Sequence, residues 1–429
     1  MYDYDSFGTL VGASLDMSEC LFKTPDIIGN VYRDRDARGR VYDRSGRLLK
    51  DEKNYYRYDG EGNLILKSTR NVLEPPVMPQ PKDWLDKLFT RTTPNDKDLQ
   101  AHYGWQQGDT AYEWYGNGML KSVRTPDGAT IRFEYDALGR RTLKETHDTC
   151  HRYAWDGNVL LHEWSYDRRE KPRMEKDELG RIRYDRQEPH TNLITWVYDG
   201  GSYTPVAKLT EEDSYSIVQD YMGTPIQALD SKGEVVWDCI LDIYGDVLEL
   251  RGKRDFIPFR FQGQYEDQET GLYYNRFRYY DPNSGTFISQ DPISILGGFN
   301  IYAYVHDVNS WVDVFGLSAT HLHHTIPREV YNPRSGKPAM LPEHLVNDPD
   351  IKGRAGNPNR WSIPADEHIA LHKRNRVGGD YNKRWAEELQ KLEIKMPDKS
   401  KWTKDDILNI RDKLTKEFGI DKYKPKCKK

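Results

Sequence analysis

Cysteine is scarce in this chain. Four thiols in 429 residues, at Cys20, Cys150, Cys239 and Cys427, make neither a disulfide framework nor a Cys-x-x-Cys zinc pair. Long apolar runs are missing too, and a mean hydropathy of −0.87 excludes a membrane-spanning helix. The opening residues, Met1-Tyr2-Asp3-Tyr4-Asp5, lack the basic and apolar regions of a signal peptide. What is abundant is tyrosine, 29 residues, and glycine, 33, against only 37% hydrophobic residues overall. That mixture suits many short strands and turns. At 50.2 kDa the chain exceeds what one core usually holds, so two or more domains are expected.

The net charge of −5 hides an asymmetry. Residues 318–429 hold 24 Lys and Arg against 16 Asp and Glu, a net of +8, which leaves −13 for the rest. Six of the 12 histidines fall between His321 and His372, whereas 26 of the 29 tyrosines lie upstream of 318. Such a break predicts two regions of different chemistry meeting near residue 317.

The upstream region repeats itself. Tyr42-Asp43-Arg44-Ser45-Gly46-Arg47-Leu48 is followed by Tyr58-Asp59-Gly60-Glu61-Gly62-Asn63-Leu64 and by Tyr135-Asp136-Ala137-Leu138-Gly139. Looser copies begin at Tyr115 and Asp177. Aspartate or asparagine starts a turn, glycine supplies a positive φ, and alternating residues such as Arg132-Phe133-Glu134-Tyr135 make half-buried strands. The proline-rich stretch from Glu74 to Thr110 interrupts the array and reads as an inserted loop with a short helix near Trp84–Phe89.

These units resemble the YD repeats of the Rhs family of polymorphic bacterial toxins. The run from Gly263 through Arg276-Phe277-Arg278-Tyr279-Tyr280-Asp281-Pro282 to Gln290-Asp291-Pro292 and Tyr302-Ala303-Tyr304 is similar to the end of an Rhs core. The resemblance spans residues 30–317. It implies an all-β shell enclosing a C-terminal toxin, with residues 1–255 as the YD-repeat shell (74–110 inserted) and 256–317 as the C-terminal core segment. Rhs proteins are usually far longer, so a chain starting inside a repeat-like stretch is expected to form a partial shell. Rhs cores end in Asp-Pro-x-Gly-Leu, after which the toxin is released by self-cleavage. Here that motif reads Asp313-Val314-Phe315-Gly316-Leu317, with valine in the proline position, and Asp307-Val308 replaces the usual upstream Asn-Pro. The resemblance makes Asp291 and Asp313 an aspartyl pair, with Arg278 tuning it and Leu317 preceding the cut. Paired carboxylates can share one proton, one activating water while the other protonates the amide. The plainer reading is that both aspartates only cap turns.

The tail carries a second constellation. His323-His324 lies in a predicted strand before Pro327. Later, Pro364, Asp366 and Glu367 read as a helix start, which puts His368 and His372 on one helical face. Two imidazoles at that spacing suit a metal. Together they resemble the ββα-metal (HNH, endonuclease VII-like) nucleases whose signature is Leu-His-His or Ala-His-His. The fold expected for residues 318–429 is thus a small α+β nuclease domain behind the β shell. Carried over, His323, His368 and His372 bind one divalent ion (Zn²⁺, Mg²⁺ or Ni²⁺), His324 is the general base, and Asn359 orients it. Asn357 is the alternative to Asn359. Arg354, Arg360, Lys373 and Arg374 form a basic rim for phosphates, which give affinity without base specificity. Tyr381, Trp385, Leu389 and Leu392 share one face of an amphipathic segment expected to pack a core, and Thr403, Asp406 and Gly419 bracket a last helix.

The resulting expectation is a toxin delivered from the producing cell that cuts nucleic acid, DNA rather than RNA, in the cytoplasm of competitor cells. Its expected partners are a cognate acidic immunity protein and a component of a secretion apparatus. The rival reading is a YD-repeat surface scaffold or adhesion protein whose tail holds a structural zinc, with His321 or His344 as the fourth ligand.

Overall fold

In the computed structural model the described residues are 2–5, 9–14, 20–74, 103–177, 180–199, 202–294, 300–317, 320–324, 340–346, 360–364 and 381–420. Sixteen antiparallel strands, from Val41–Tyr42 to Val247–Arg251, follow one another as a meander in a single sheet.

The repeat is explained by its turns. In Asp43–Arg47 the Asp43 Oδ1 accepts the N–H groups of Ser45 (2.8 Å) and Arg47 (3.0 Å), and Gly46 sits at φ +83°. Asp136–Arg140 repeats this, with Leu138 and Arg140 donating at 2.9 and 2.8 Å and Gly139 at φ +74°. The same device closes the turns at Asp59, Asp220, Asp230 and Asp242. The last three lack the tyrosine, and the turns at Tyr115 and Thr125 keep the glycine three residues on without a leading aspartate, so the glycine is the constant part and Asp its usual partner. A carboxylate that satisfies two turn amides and a glycine that tolerates the left-handed region are what a tight hairpin demands.

Two features depart from a plain array. The unit at Asp177 turns a side hairpin, Met174–Lys176 with Ile182–Tyr184, that stands outside the large sheet; Val159–Asp167 pairs directly with Ile194–Tyr198 beyond it. Either side of the proline-rich stretch, Leu64–Ser68 pairs directly with Thr110–Trp114. The helix anticipated near Trp84 lies outside the described residues.

The segment from Tyr265 to Phe287 folds into a four-stranded sheet that packs on the buried face of the large one. Leu272, Tyr274, Tyr279 and Ile288 share a core with Leu48, Tyr56, Leu120, Val123, Ile131 and Phe133. Buried charges join the two layers. Arg141 of the large sheet pairs with Asp267, Lys144 reaches Glu269 at 2.9 Å, and Lys67 reaches Asp281 at 3.0 Å. The guanidinium of Arg141 also lies 4.5 Å from the ring centre of Tyr274 and 4.6 Å from that of Tyr153. Paired this way, charges that could not be buried alone are accommodated between the layers.

In the tail, Tyr381–Lys395 and Lys404–Glu417 are helices. Tyr381, Trp385 and Leu389 are buried with Trp402, Ile407 and Leu414, and Leu392 is partly buried beside them, which is the face expected from spacing. Thr403 and Asp406 form a reciprocal capping box, and Gly419 closes the helix at φ +69°. Among the described residues no helix is long and apolar enough to cross a membrane.

Candidate active site

The strands Leu272–Asn275 and Arg278–Asp281 are joined by a two-residue turn, with Asn275 paired to Arg278. Arg276, at the first turn position, takes φ +61°, a conformation that favours glycine. The turn is held from the large sheet: Arg276 Nη2 donates to the Leu138 carbonyl at 3.0 Å, and Phe277 packs on Gly139. It therefore leans on one of the Asp–Gly turns.

Arg278 leaves this turn into the interior, where it is 2% exposed. Its Nη2 reaches Asp291 Oδ2 at 2.9 Å and Asp313 Oδ2 at 3.2 Å, bringing together the three residues singled out from the sequence. Its Nε donates to the Gly316 carbonyl and its Nη1 to the Ile301 carbonyl at 3.0 Å. Phe287 covers the guanidinium at 3.6 Å. Asp291 and Asp313 are 5% and 3% exposed. Burial pushes the Asp291 carboxyl above the usual carboxylate range; Arg278 opposes the rise and the nearby Asp313 adds to it. Burial likewise draws the Arg278 guanidinium below its ordinary value against the pull of both aspartates.

Asp313 is also a backbone anchor. Its Oδ1 accepts the Leu317 N–H at 3.0 Å, so the carboxylate sits beside the residue that precedes the expected cut. Gly316 lies at φ +64°, and a Cβ there would meet the Asn275 carbonyl oxygen at 2.6 Å. Val314 and Val308, in the positions where the Rhs pattern has proline, are buried against apolar neighbours. Asn275 was not among the residues read from the sequence as functional, yet its Nδ2 donates to the Asp313 carbonyl at 2.8 Å. Its position three residues before Arg278, across a two-residue turn, is the sequence signal that points to it.

In the tail, Thr320–His324 pairs on one side with Trp311–Val312 and on the other with Arg360–Pro364. His324 stands opposite Arg360, and His323 opposite Trp361. Asn359, Asn357, His368, His372, Arg354, Lys373 and Arg374 lie outside the described residues. Of the three expected metal ligands only His323 is on a described element. His344 contacts the Trp402 carbonyl through Nε2 at 2.9 Å, which occupies one of its ring nitrogens.

Comparison with known proteins adds the family. The model of the teneurin YD-shell matches residues 2–307. Among curated relatives, the probable deoxyribonuclease RhsA of Dickeya dadantii is 29% identical over 280 residues, 64% of this chain and 16% of its own length. The double-stranded DNA deaminase toxin A of Burkholderia cenocepacia is 28% identical over 360 residues, 75% of this chain and 22% of its own. The chain thus spans about a sixth to a fifth of these relatives. The crystal structure of TcdB2-TccC3-TEV aligns with 74% of this chain and 17% of its own at 18% identity and a TM-score of 0.40. With 2–307 matched, the chain belongs to the teneurin YD-shell family, the repeat shell it has in common with the Rhs toxins it resembles.

Proposed function

We propose that the chain is an Rhs-type polymorphic toxin protein: a YD-repeat shell carrying an HNH-like, metal-dependent endonuclease that self-cleavage after Leu317 sets free. The observation that carries this reading is the buried Arg278–Asp291–Asp313 cluster, one of whose carboxylates holds the Leu317 N–H. Asp291, with its raised pKa, is the member that keeps a proton and gives it to the leaving amide nitrogen. Asp313 draws a proton from a water that attacks the Leu317 carbonyl carbon. The C–O bond forms, the bond to the Ser318 nitrogen breaks, and the products are a Leu317 carboxylate and a Ser318 amine. Arg278 keeps the two acids together at a net charge that burial tolerates.

For the nuclease, His324 takes the proton of the attacking water and Asn359 orients it, while Arg354, Arg360, Lys373 and Arg374 bind phosphates. His323, His368 and His372 would hold one divalent ion, which supplies Lewis-acid stabilisation of the phosphate charge. DNA is the favoured substrate because two relatives carry DNA-directed names. An acidic immunity protein matches the +8 tail. Delivery through a secretion apparatus into the cytoplasm of a competitor completes the reading.

Intact mass of the purified chain tests the release step. Wild type is expected to give a fragment ending at Leu317, and Asp313→Asn only the full chain. A wild-type preparation that stays at full mass contradicts it.

A further inference from the structure

We infer that the turn Asn275–Arg278 is a cradle that fixes the register of the scissile strap, and that Asn275 is a positioning residue for self-cleavage; this rests on the release reading above. Three groups of the turn grip successive parts of the strap. Asn275 Nδ2 donates to the Asp313 carbonyl at 2.8 Å, the Phe277 N–H to the Phe315 carbonyl at 3.2 Å, and Arg278 Nε to the Gly316 carbonyl. Asp313 itself then closes the loop on the Leu317 N–H. The strap has valine where a proline would have fixed its backbone, and these hydrogen bonds hold it as far as the Leu317 N–H that Asp313 grips.

Asn275 is not explained by stability. It is 0% exposed, and among the described residues its Oδ1 has no hydrogen-bond partner. A buried acceptor left unpaired costs about what one hydrogen bond returns or more, so an aliphatic residue of the same shape would serve the fold as well. What an aliphatic residue cannot do is donate to Asp313. Because the Asp313 carbonyl and carboxylate belong to one residue, fixing the first fixes where the second points.

The test follows newly made full-length chain, from cell-free synthesis, by the appearance of the fragment ending at Leu317 across pH 5–8. Asn275→Leu is expected to keep the wild-type melting temperature and to cleave at least roughly 10-fold more slowly. Asn275→Asp can donate only while protonated, so its rate relative to wild type at the same pH should rise on acidification. Wild type that cleaves while Asn275→Leu matches it overturns the cradle alone. Wild type that never cleaves overturns the release reading and the cradle with it. If Asn275→Leu fails to fold, the Asn275→Asp comparison decides, and a rate ratio that does not vary with pH overturns the inference.

Discussion

Two carboxylates and one guanidinium, all buried, carry a net negative charge that the uptake of a single proton cancels; under the proposed release this is the property that would let Asp291 and Asp313 divide acid and base roles. Removing the cation should expose its part. Arg278→Met leaves two carboxylates facing each other out of water, so cleavage is expected to stop and the shell to lose about 3–5 kcal/mol in denaturant unfolding. An unchanged midpoint would mean that the cluster is not closed. A second residue reports on the layer interface. Burial, with Lys144 alongside, draws His151 down to about 4 from the usual histidine value of 6.5. The unfolded chain therefore binds a proton that the folded one refuses between those values, and stability falls as pH drops through that window. His151→Gln should flatten that part of the Tm-versus-pH curve; a curve that coincides with wild type contradicts the assignment. Arg278 and Asp291 were legible in the sequence because they sit in a long, specific run, and Asp313 because it opens the Asp-x-x-Gly-Leu motif. Asn275 was not, because a donor's worth depends on which carbonyl the fold delivers to it.

The Asp–Gly turn is the element that repetition made visible, and the tyrosine drew the eye to only some of its copies. At Asp220, Asp230 and Asp242 the tyrosine is absent while the two amide bonds to the carboxylate persist. Conversely, the copy at Asp177 keeps the turn but not the sheet, since pairing depends on the strands either side. Asp136→Ala should cost about 1–2 kcal/mol through the lost Leu138 and Arg140 amide bonds. Because that turn bears on Phe277 and, through Leu138, on Arg276, the same change is expected to slow release as well. Asp230→Ala breaks the same kind of turn at Gly233, where among the described residues nothing packs as Phe277 does on Gly139, and should destabilise equally without slowing release. Equal cleavage rates in the two variants would contradict the link. The helical pair in the tail was readable from its capping box and apolar face. The packing of the Tyr265–Phe287 sheet on the large one was not. It depends on pairs such as Arg141 with Asp267, 126 residues apart, that no local pattern encodes.

For the whole molecule, the small net charge is the sum of an acidic shell region and a basic tail. The family match ends at 307, so the shell is a matter of kinship and the tail of its own residues. Those residues are His323 and His324 on a strand paired with the one that bears Arg360, and the His368–His372 spacing in the sequence. The measurement that bears most directly on the account is cleavage of supercoiled plasmid DNA by the purified chain with Mg²⁺, Ni²⁺ or Zn²⁺. The account predicts nicking with at least one of these ions, abolished by chelation and by His324→Ala. No nicking with any of them, or equal nicking by His324→Ala, would contradict it.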